Sequence, residues 1–222
     1  MLVDFEGLTR AFVDAQLQAD RHEALRLLME DGVEQGAPVP DLLQRVIRPA
    51  QQEIGRLWQD NRITVADEHA ATAIAQLVMA QIYGHAVRQG DSGRRVVVAC
   101  VEGERHDLGA RIAADLLDLA GHEVTFLGAD VPIDSLVDAV QRRRAHLVVL
   151  SITMAFHAAA LVRTVRALRE RIGQTLPIAA GGAALPLCHD VVEPLALVAT
   201  GEDAATLLAG VARHFDRPTQ DA

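Results

Sequence analysis

The chain has 222 residues, of which 50% are hydrophobic and 23% are charged, and its formal net charge is −9. This composition suits a globular protein with one good α/β core and a smaller helical one. The acidic balance argues against direct nucleic-acid binding, and no run approaches the roughly 20 apolar residues of a membrane span. The start, residues 1–6, lacks a basic region followed by an apolar one, so we expect a cytoplasmic protein. The two cysteines, Cys100 and Cys188, show no metal or disulfide spacing, which suits a reducing compartment.

The first part of the chain repeats apolar residues at helical spacing and predicts four helices. The apolar positions are Leu8, Ala11, Phe12 and Ala15, then Ala24, Leu25, Leu27 and Leu28, then Leu42, Leu43, Val46, Ile47, Ile54 and Leu57, then Ala70, Ile74, Leu77, Val78 and Ile82. Pro49 predicts a kink or an early end within the third helix, and Thr64 with Asp67 predicts a cap for the fourth. We therefore predict a four-helix bundle over residues 1–89, followed by a polar hinge at 89–93.

From residue 93 to residue 222, strand patterns and helix patterns alternate along the chain. Apolar runs predict strands near 95–101, 123–128, 146–152, 176–181 and 196–200, and helical spacing predicts helices near 109–120, 133–143, 157–171 and 202–215. Right-handed crossovers would arrange these elements as a five-stranded parallel sheet covered on both faces. The predicted fold class is thus α/β, with a flavodoxin-like (Rossmann-type) domain after the helical bundle.

Polar residues and glycines cluster where three of the predicted strands end, which is the edge at which parallel sheets bind ligands. They are Glu104, His106, Asp107 and Gly109 after the first strand, Ser151 and Thr153 after the third, and Gly181 and Gly182 after the fourth. An imidazole on such a loop can bind a metal, and glycines let a large ligand approach the backbone. Each feature also has an ordinary interpretation as a surface histidine, a strand-end residue or a turn.

These three elements in this order resemble the cobalamin-binding module shared by methionine synthase, corrinoid methyl-carrier proteins and cobalamin mutases, over roughly residues 93–216. The resemblance implies that neutral His106 binds cobalt from below, in place of the cofactor's own dimethylbenzimidazole. It also implies that Glu104 accepts the other ring N–H and so fixes the tautomer and orientation of the imidazole.

The same resemblance implies roles for the small and hydroxyl residues of the sheet edge. Gly109 would let the corrin approach the backbone, and Gly181 with Gly182 would do the same for the nucleotide tail. Ser151 and Thr153 would hydrogen-bond the displaced base. Asp107, next to the cobalt-binding histidine in sequence, is included among the cofactor-binding residues.

The helical half contains a second pattern, in which nine residues separate Trp58 from Glu68-His69. This arrangement is similar to that of the CarH-type photoreceptors, in which the Trp and Glu cradle the adenosyl group of adenosylcobalamin. A Trp face supplies apolar contact, and a carboxylate can accept hydrogen bonds from both ribose hydroxyls. The resemblance implies that Trp58, Glu68 and His69 hold the adenosyl group and that the bundle caps the upper face of the cofactor. A lone Trp on a bundle helix is also often a core residue.

The sequence departs from CarH-type receptors directly after the Trp, where they have a His that captures cobalt from above after photolysis. Gln59 stands there, and a carboxamide is a poor cobalt ligand. Water or His69 would then take that position. We also recognise no DNA-binding segment ahead of the helical half. The chain in this respect resembles stand-alone sensors, including photocobilins, so a bilin such as biliverdin stays open as a second chromophore.

The leading hypothesis is a cobalamin photoreceptor, not an enzyme, that senses photolysis of adenosylcobalamin and signals through a protein partner or a homo-oligomer. The alternative is a corrinoid methyl carrier of a methyltransferase system, and a third interpretation is a flavodoxin-like binding module without cobalamin. The remaining histidines fit no ligand spacing, and we expect them to be solvated or locally hydrogen-bonded. They are His22, His85, His122, His146, His157, His189 and His214.

Overall fold

The structure, a computed structural model, describes residues 3–216. The chain divides into two compact units, of which the first ends at Val87 and the second begins at Arg88. Residues 1–2 and 217–222, which the predicted domains include, lie outside the described residues. No helix within the described range is long and apolar enough to cross a membrane.

The first unit consists of four helical rods, as the apolar spacing predicts. They are α1 (Phe5–Leu17), α2 (Arg21–Arg26) with the π-helical turn Leu27–Val33, α3 (Val39–Leu42) with the π-helical turn Leu43–Ile47 and α4 (Arg48–Gln59), and α5 (Val65–Tyr83). Apolar side chains from all four rods, among them Phe12, Leu28, Ile54 and Val78, are fully buried. The helices are thus held together by one apolar core.

The third rod continues through Pro49 instead of ending there. Pro49 lies in the first turn of α4, and the π-helical turn Leu43–Ile47 directly precedes that helix. Proline cannot donate an N–H to the preceding turn, and a π-helical turn is one way in which a helix rearranges its hydrogen bonds. The rod ends where predicted, because Asn61 takes a left-handed conformation with φ of 55°. The predicted cap is confirmed: Thr64 and Asp67 form a reciprocal capping box at the start of α5.

The second unit is the predicted flavodoxin-like domain. Its strands are β1 (Arg95–Cys100), β2 (Glu123–Phe126), β3 (Leu147–Ser151), β4 (Ile178–Gly181) and β5 (Ala199–Gly201). They form one parallel sheet in the order β2-β1-β3-β4-β5. The helices are α6 (Leu108–Leu119), α7 (Ile133–Arg143), α8 (Ala158–Arg171), α9 (His189–Val192) and α10 (Ala204–Phe215). The prediction of a helical region followed by a five-stranded parallel sheet is confirmed.

The fifth strand differs most from its prediction at 196–200. Glu193–Leu195 forms a 3-10 turn and Ala196 ends it in a left-handed conformation with φ of 44°, so the strand begins only at Ala199. The second strand is also shorter than predicted, because it ends at Phe126. Two further 3-10 turns are not predicted: Ala155–His157 lies at the start of the helix predicted near 157–171, and Leu185–Cys188 lies between predicted elements.

The strand order places a topological switch point between β1 and β3, which are neighbours although β2 lies between them in the chain. Cys100 pairs with Ser151 across these two strands, and Ser151 pairs with Gly181. Loops that follow the two strands at a switch point diverge and leave a crevice in which open α/β sheets bind ligands. The loops after β1 and β3 therefore define the place to look for a site.

The segment predicted as a hinge, residues 89–93, belongs to the second unit and hydrogen-bonds to the residues around the end of α6. The Gln89 N–H donates to the Leu119 carbonyl, and the Ser92 N–H donates to the Gly121 carbonyl. Gly121 has φ of 93°, and a Cβ there would lie 1.9 Å from the Gly90 carbonyl oxygen. This close approach requires glycine at position 121.

Candidate cofactor site

Glu104, in the loop after β1, is the centre of the site. The residue is fully buried, and its Oε1 accepts hydrogen bonds from the backbone N–H of His106 at 3.0 Å and from the ring Nδ1 of His106 at 2.6 Å. A histidine that donates from Nδ1 to a carboxylate presents Nε2 as its metal-binding nitrogen. The hydrogen bond predicted between these residues is present, and the His106 side chain is 49% exposed.

The second oxygen of Glu104 binds the loop after β3. Its Oε2 accepts from the backbone N–H groups of Thr153 at 2.8 Å and Met154 at 3.0 Å, and from Nδ1 of His157 at 2.8 Å. One carboxylate therefore joins the two loops that flank the switch point. Thr153 contributes its backbone to the site, whereas its hydroxyl is the group considered from the sequence.

The expectation that His157 is solvated or only locally bonded was wrong. Its side chain is 14% exposed, and its partner Glu104 lies 53 positions away in sequence. The 3-10 turn Ala155–His157 carries the ring back toward the first loop. Ligand spacing gives no signal for such a contact, because it depends on a turn between two distant loops.

The hydrogen bonds determine the charge of Glu104. Burial on its own would raise the pKa of Glu104, but the hydrogen bonds from His106, His157 and Thr153 outweigh it and hold this pKa well below its usual range. Burial also raises the pKa of the neighbouring Cys100 thiol to about 12, and the charge of Asp107 adds to that effect. The site at neutral pH thus contains a carboxylate anion and a neutral thiol.

Two glycines among the predicted site residues differ in whether the fold requires glycine at that position. A Cβ on Gly109, in the first turn of α6, would meet nothing within 4 Å, so the fold itself does not require glycine there. Gly182 has φ of 120°, and a Cβ there would lie 2.0 Å from the Ile152 carbonyl oxygen. Position 109 thus leaves open space beside the His106 loop, while position 182 is required by the backbone.

The remaining predicted residues of this unit lie along the same edge. Ser151, at the end of β3, is buried and hydrogen-bonds with Cys100. Gly181, at the end of β4, is also buried, and a Cβ there would lie 3.1 Å from Leu207. Asp107 is the residue that precedes α6, and its carboxylate lies near Gly128. The structure therefore brings the sequence-predicted residues of the α/β unit to one edge of the sheet.

The predicted residues of the helical unit lie on α4 and α5. Trp58 is 36% exposed, so it is not a core residue of the bundle. The Glu68 side chain is 23% exposed, and its Oε2 lies 2.6 Å from Nδ1 of His69, whose side chain is 74% exposed. Thr72, one turn further along α5, has its hydroxyl 3.0 Å from Glu68 Oε1 and 3.1 Å from Oε1 of Gln51 on α4.

A carboxylate-held imidazole at the switch point of a flavodoxin-like sheet, beside a glycine that leaves open space, fits a protein that binds a metal within a large planar ligand. Comparison with known proteins identifies that ligand. The chain belongs to the B12 binding domain family, whose models match residues 94–209 and residues 8–83. It is a cobalamin-binding protein.

Among its relatives, the chain is similar to the HTH-type transcriptional repressor CarH of Myxococcus xanthus, with 35% identity over 179 residues that cover 78% of this chain and 58% of the repressor. It is 30% identical over 170 residues to the repressor CarA of the same organism, covering 69% of this chain and 59% of CarA. The chain thus spans less than two thirds of the length of these repressors.

A solved structure shows the same fold over nearly the whole chain. The monomethylamine corrinoid protein of Methanosarcina barkeri superposes with a TM-score of 0.78 at 19% identity and covers 96% of this chain and 99% of that protein. At this level of identity the likeness shows the fold alone. The fold and the family thus agree with the cobalamin-binding resemblance drawn from the sequence.

Proposed function

We propose that this chain is a light sensor that holds adenosylcobalamin and signals by a change of conformation or assembly, without catalysing a reaction. The observation that carries the proposal is the position of Trp58, which the helical unit leaves 36% exposed. An aromatic side chain that is not used for the core is available to a ligand. The similarity to CarH supports the same choice.

In this proposal the α/β unit holds the lower face of the cofactor. His106 would bind cobalt through Nε2, because Glu104 accepts the hydrogen bond from Nδ1. Gly109 would lie against the corrin, since no protein atom lies within 4 Å of the place where its Cβ would be. The buried, ionised Glu104 accepts the N–H from Nδ1 of His106 and so leaves Nε2 as the nitrogen that would face the metal.

The helical unit would hold the adenosyl group. The Trp58 face would supply apolar contact to it, and Glu68 would accept hydrogen bonds from the ribose hydroxyls. His69 and Thr72 both contact the Glu68 carboxylate and orient it. The ribose hydroxyls would approach the remaining lone pairs of the same two oxygens.

Adenosylcobalamin supplies a cobalt–carbon bond that light breaks. After loss of the adenosyl group, Trp58 and Glu68 would have no ligand, and the helical unit would repack around them. That shift would pass to a protein partner or across a homo-oligomer interface. With Gln59 after Trp58, water or His69 would take the upper position on cobalt.

The experiment that tests this proposal is photolysis of protein loaded with adenosylcobalamin in the dark. We expect illumination to change both the absorption spectrum and the elution volume or partner affinity, and we expect His106→Ala to lose the spectral signature of histidine ligation. An unchanged elution volume and partner affinity after complete photolysis would eliminate the sensing role and leave cofactor binding intact. Absorption beyond the cobalamin bands after incubation with biliverdin would add a bilin to the proposal.

A corrinoid methyl carrier is the second candidate. It is favoured by Gln59, which differs from the His of light sensors, and by the relatives that are corrinoid proteins, such as the dimethylamine corrinoid protein 3 of Methanosarcina acetivorans, 24% identical over 157 residues that cover 69% of this chain and 71% of that protein. A carrier would prefer methylcobalamin or hydroxocobalamin over the adenosyl form. It would also accept a methyl group from a methyltransferase partner, which a light sensor would not.

A further inference from the structure

His157 contacts the centre of the site from the side opposite to His106. Its Nδ1 lies 2.8 Å from Glu104 Oε2, while Nδ1 of His106 lies 2.6 Å from Oε1 of the same carboxylate. Two imidazoles from different loops thus share one buried carboxylate. The His157 side chain is 14% exposed and the Glu104 side chain is fully buried.

The ring of His157 packs against Gly103 in the loop after β1. Gly103 in that loop has φ of 89°, and a Cβ there would lie 3.3 Å from Nε2 of His157. The Gly103 N–H donates to Asp130 Oδ1 at 2.7 Å, and the Asp130 N–H donates to the Glu104 carbonyl at 2.8 Å. A side chain at position 103 would crowd the imidazole, so the turn and the ring fit each other.

The hydrogen-bond donors to Glu104 bind different oxygens of its carboxylate. The backbone donors on Oε2, Thr153 and Met154, belong to the same loop and approach the same oxygen as His157. His157 adds the side-chain donor that balances the one from His106 on the opposite oxygen. A carboxylate held at both oxygens cannot rotate without breaking a charge-assisted hydrogen bond.

We propose that His157 is a positioning residue that acts through Glu104 to hold His106 in the orientation that binds cobalt. This inference rests on the proposed role of His106 as the cobalt ligand. His157 does not touch the metal in this proposal. Its donor adds to the backbone N–H groups that hold the Glu104 carboxylate, and the carboxylate orients the ring of His106. The loop after β3 thereby becomes part of the cobalt site.

Three variants separate this role from a purely structural one. His157→Asn places an amide nitrogen close to the position of Nδ1 and keeps the donor to Glu104. His157→Gln places its amide closer to the position of Nε2, and His157→Leu removes the donor. Asn and Gln are similar in polarity and both carry an amide donor. A difference between His157→Asn and His157→Gln therefore reports the position of the hydrogen-bond donor to Glu104 and not its presence alone. His22→Leu, at an exposed histidine of the helical unit, is the matched control.

The readout is the electron paramagnetic resonance spectrum of the protein loaded with cob(II)alamin after labelling with ¹⁵N-histidine. A single axial ¹⁵N ligand splits each cobalt line into two, whereas the unlabelled base of the cofactor splits it into three. We expect the two-line pattern in the wild type, His157→Asn and His22→Leu. We expect its loss, with cobalamin affinity reduced about tenfold, in His157→Leu and His157→Gln.

The outcomes distinguish failure of this inference from failure of the proposed function. A wild-type protein that retains no cobalamin, or that shows the three-line pattern, would remove the role of His106 itself. A wild type with two lines, together with an undiminished two-line pattern in folded His157→Leu and His157→Gln, would overturn the role of His157 alone. Thermal unfolding of each variant shows which variants are folded. If His157→Leu is unfolded, the comparison of His157→Asn with His157→Gln decides whether His157 positions His106.

Discussion

The two units hold their candidate cofactor residues in different ways. In the α/β unit, Glu104 is fully buried and accepts five hydrogen bonds, three from backbone N–H groups and two from imidazoles. In the helical unit, Trp58 is 36% exposed and the His69 side chain is 74% exposed. The first group is fixed by the fold, whereas the second group is largely on the surface of its bundle.

This difference predicts what each group contributes. A fully hydrogen-bonded buried group is part of the stability of its unit, and changing it alters folding as well as binding. An exposed aromatic side chain contributes less to the fold, so changing it should alter ligand choice and leave stability mostly intact. The α/β unit would therefore set whether cobalamin binds, and the helical unit would set which cobalamin binds.

Of the changes that test the difference between the two units, Glu104→Gln is expected to have the largest effect. The measurement is the free energy of unfolding of the cofactor-free protein in urea. A Gln side chain has an NH₂ group in place of one carboxylate oxygen, and this group would face the N–H donors that bind that oxygen. We therefore expect the free energy of unfolding to fall by about 3 kcal/mol at pH 7. The folded pKa of Glu104 lies below the unfolded value of about 4.3, so its contribution is complete above that pH. It is lost as the pH falls below about 4.3, and the variant should show a shallower decline there.

The matched control for this prediction is Glu202→Gln, at an exposed glutamate of the same unit. We expect it to change the free energy of unfolding by less than about 0.5 kcal/mol. Equal losses in the two variants, or an unchanged acid dependence in Glu104→Gln, would contradict the assignment of Glu104 as a buried anion that stabilises the unit.

The two loops joined by Glu104 also show where the sequence is informative and where it is not. The Glu104–His106 contact is implied by the resemblance to the cobalamin-binding module, and both residues lie on one loop. The contacts from Met154 and His157 are not predictable from the sequence, because they depend on a 3-10 turn some 50 positions away. The predicted start of β5 was wrong for a similar reason. Ala196 takes a left-handed conformation, so the strand begins only at Ala199, and no glycine in the sequence marks that turn.

A glycine pair sharpens the distinction between fold and ligand within the α/β unit. Gly182→Ala should destabilise the protein by about 2–3 kcal/mol, because the backbone conformation is strained for alanine and the Cβ meets the Ile152 carbonyl. Gly109→Ala should stabilise the cofactor-free protein by up to about 1 kcal/mol, since alanine favours the helix. The same change should weaken cobalamin binding by about 1–3 kcal/mol, because its Cβ occupies space proposed for the corrin.

Urea unfolding without cofactor and equilibrium binding of hydroxocobalamin measure both glycine variants. Each of the two changes serves as the other's control, since both add one methyl group at the ligand edge of the sheet. If Gly109→Ala bound cobalamin as tightly as the wild type, the corrin would not lie against the start of α6.

Trp58→Ala tests the other half of the comparison. We expect a loss of less than about 2 kcal/mol in stability, because core aromatics cost about 3–5 kcal/mol and Trp58 is partly exposed. The preference for adenosylcobalamin over hydroxocobalamin should fall about tenfold, since aromatic contacts contribute about 0.5–1.5 kcal/mol beyond burial. Leu77→Ala, at a residue of α5 that is 39% exposed, should leave that preference unchanged. An equal loss of preference in the two variants would point to a general disturbance of the bundle.

The smallest effect is expected from Thr72→Val, which removes the hydroxyl between Glu68 and Gln51 and keeps the shape of the side chain. A hydroxyl has one hydrogen, so it can donate to only one of these two oxygens at a time. When it donates to Glu68 it helps to fix the carboxylate that would bind the ribose, and a hydrogen bond to a charged group contributes about 1.5–3 kcal/mol when fully made. Because the donor is shared and partly exposed, we expect only about a threefold loss of preference for adenosylcobalamin over methylcobalamin. Thr72→Ser, which keeps the hydroxyl, should retain the preference, and an undiminished preference in Thr72→Val would show that the hydroxyl does not position Glu68.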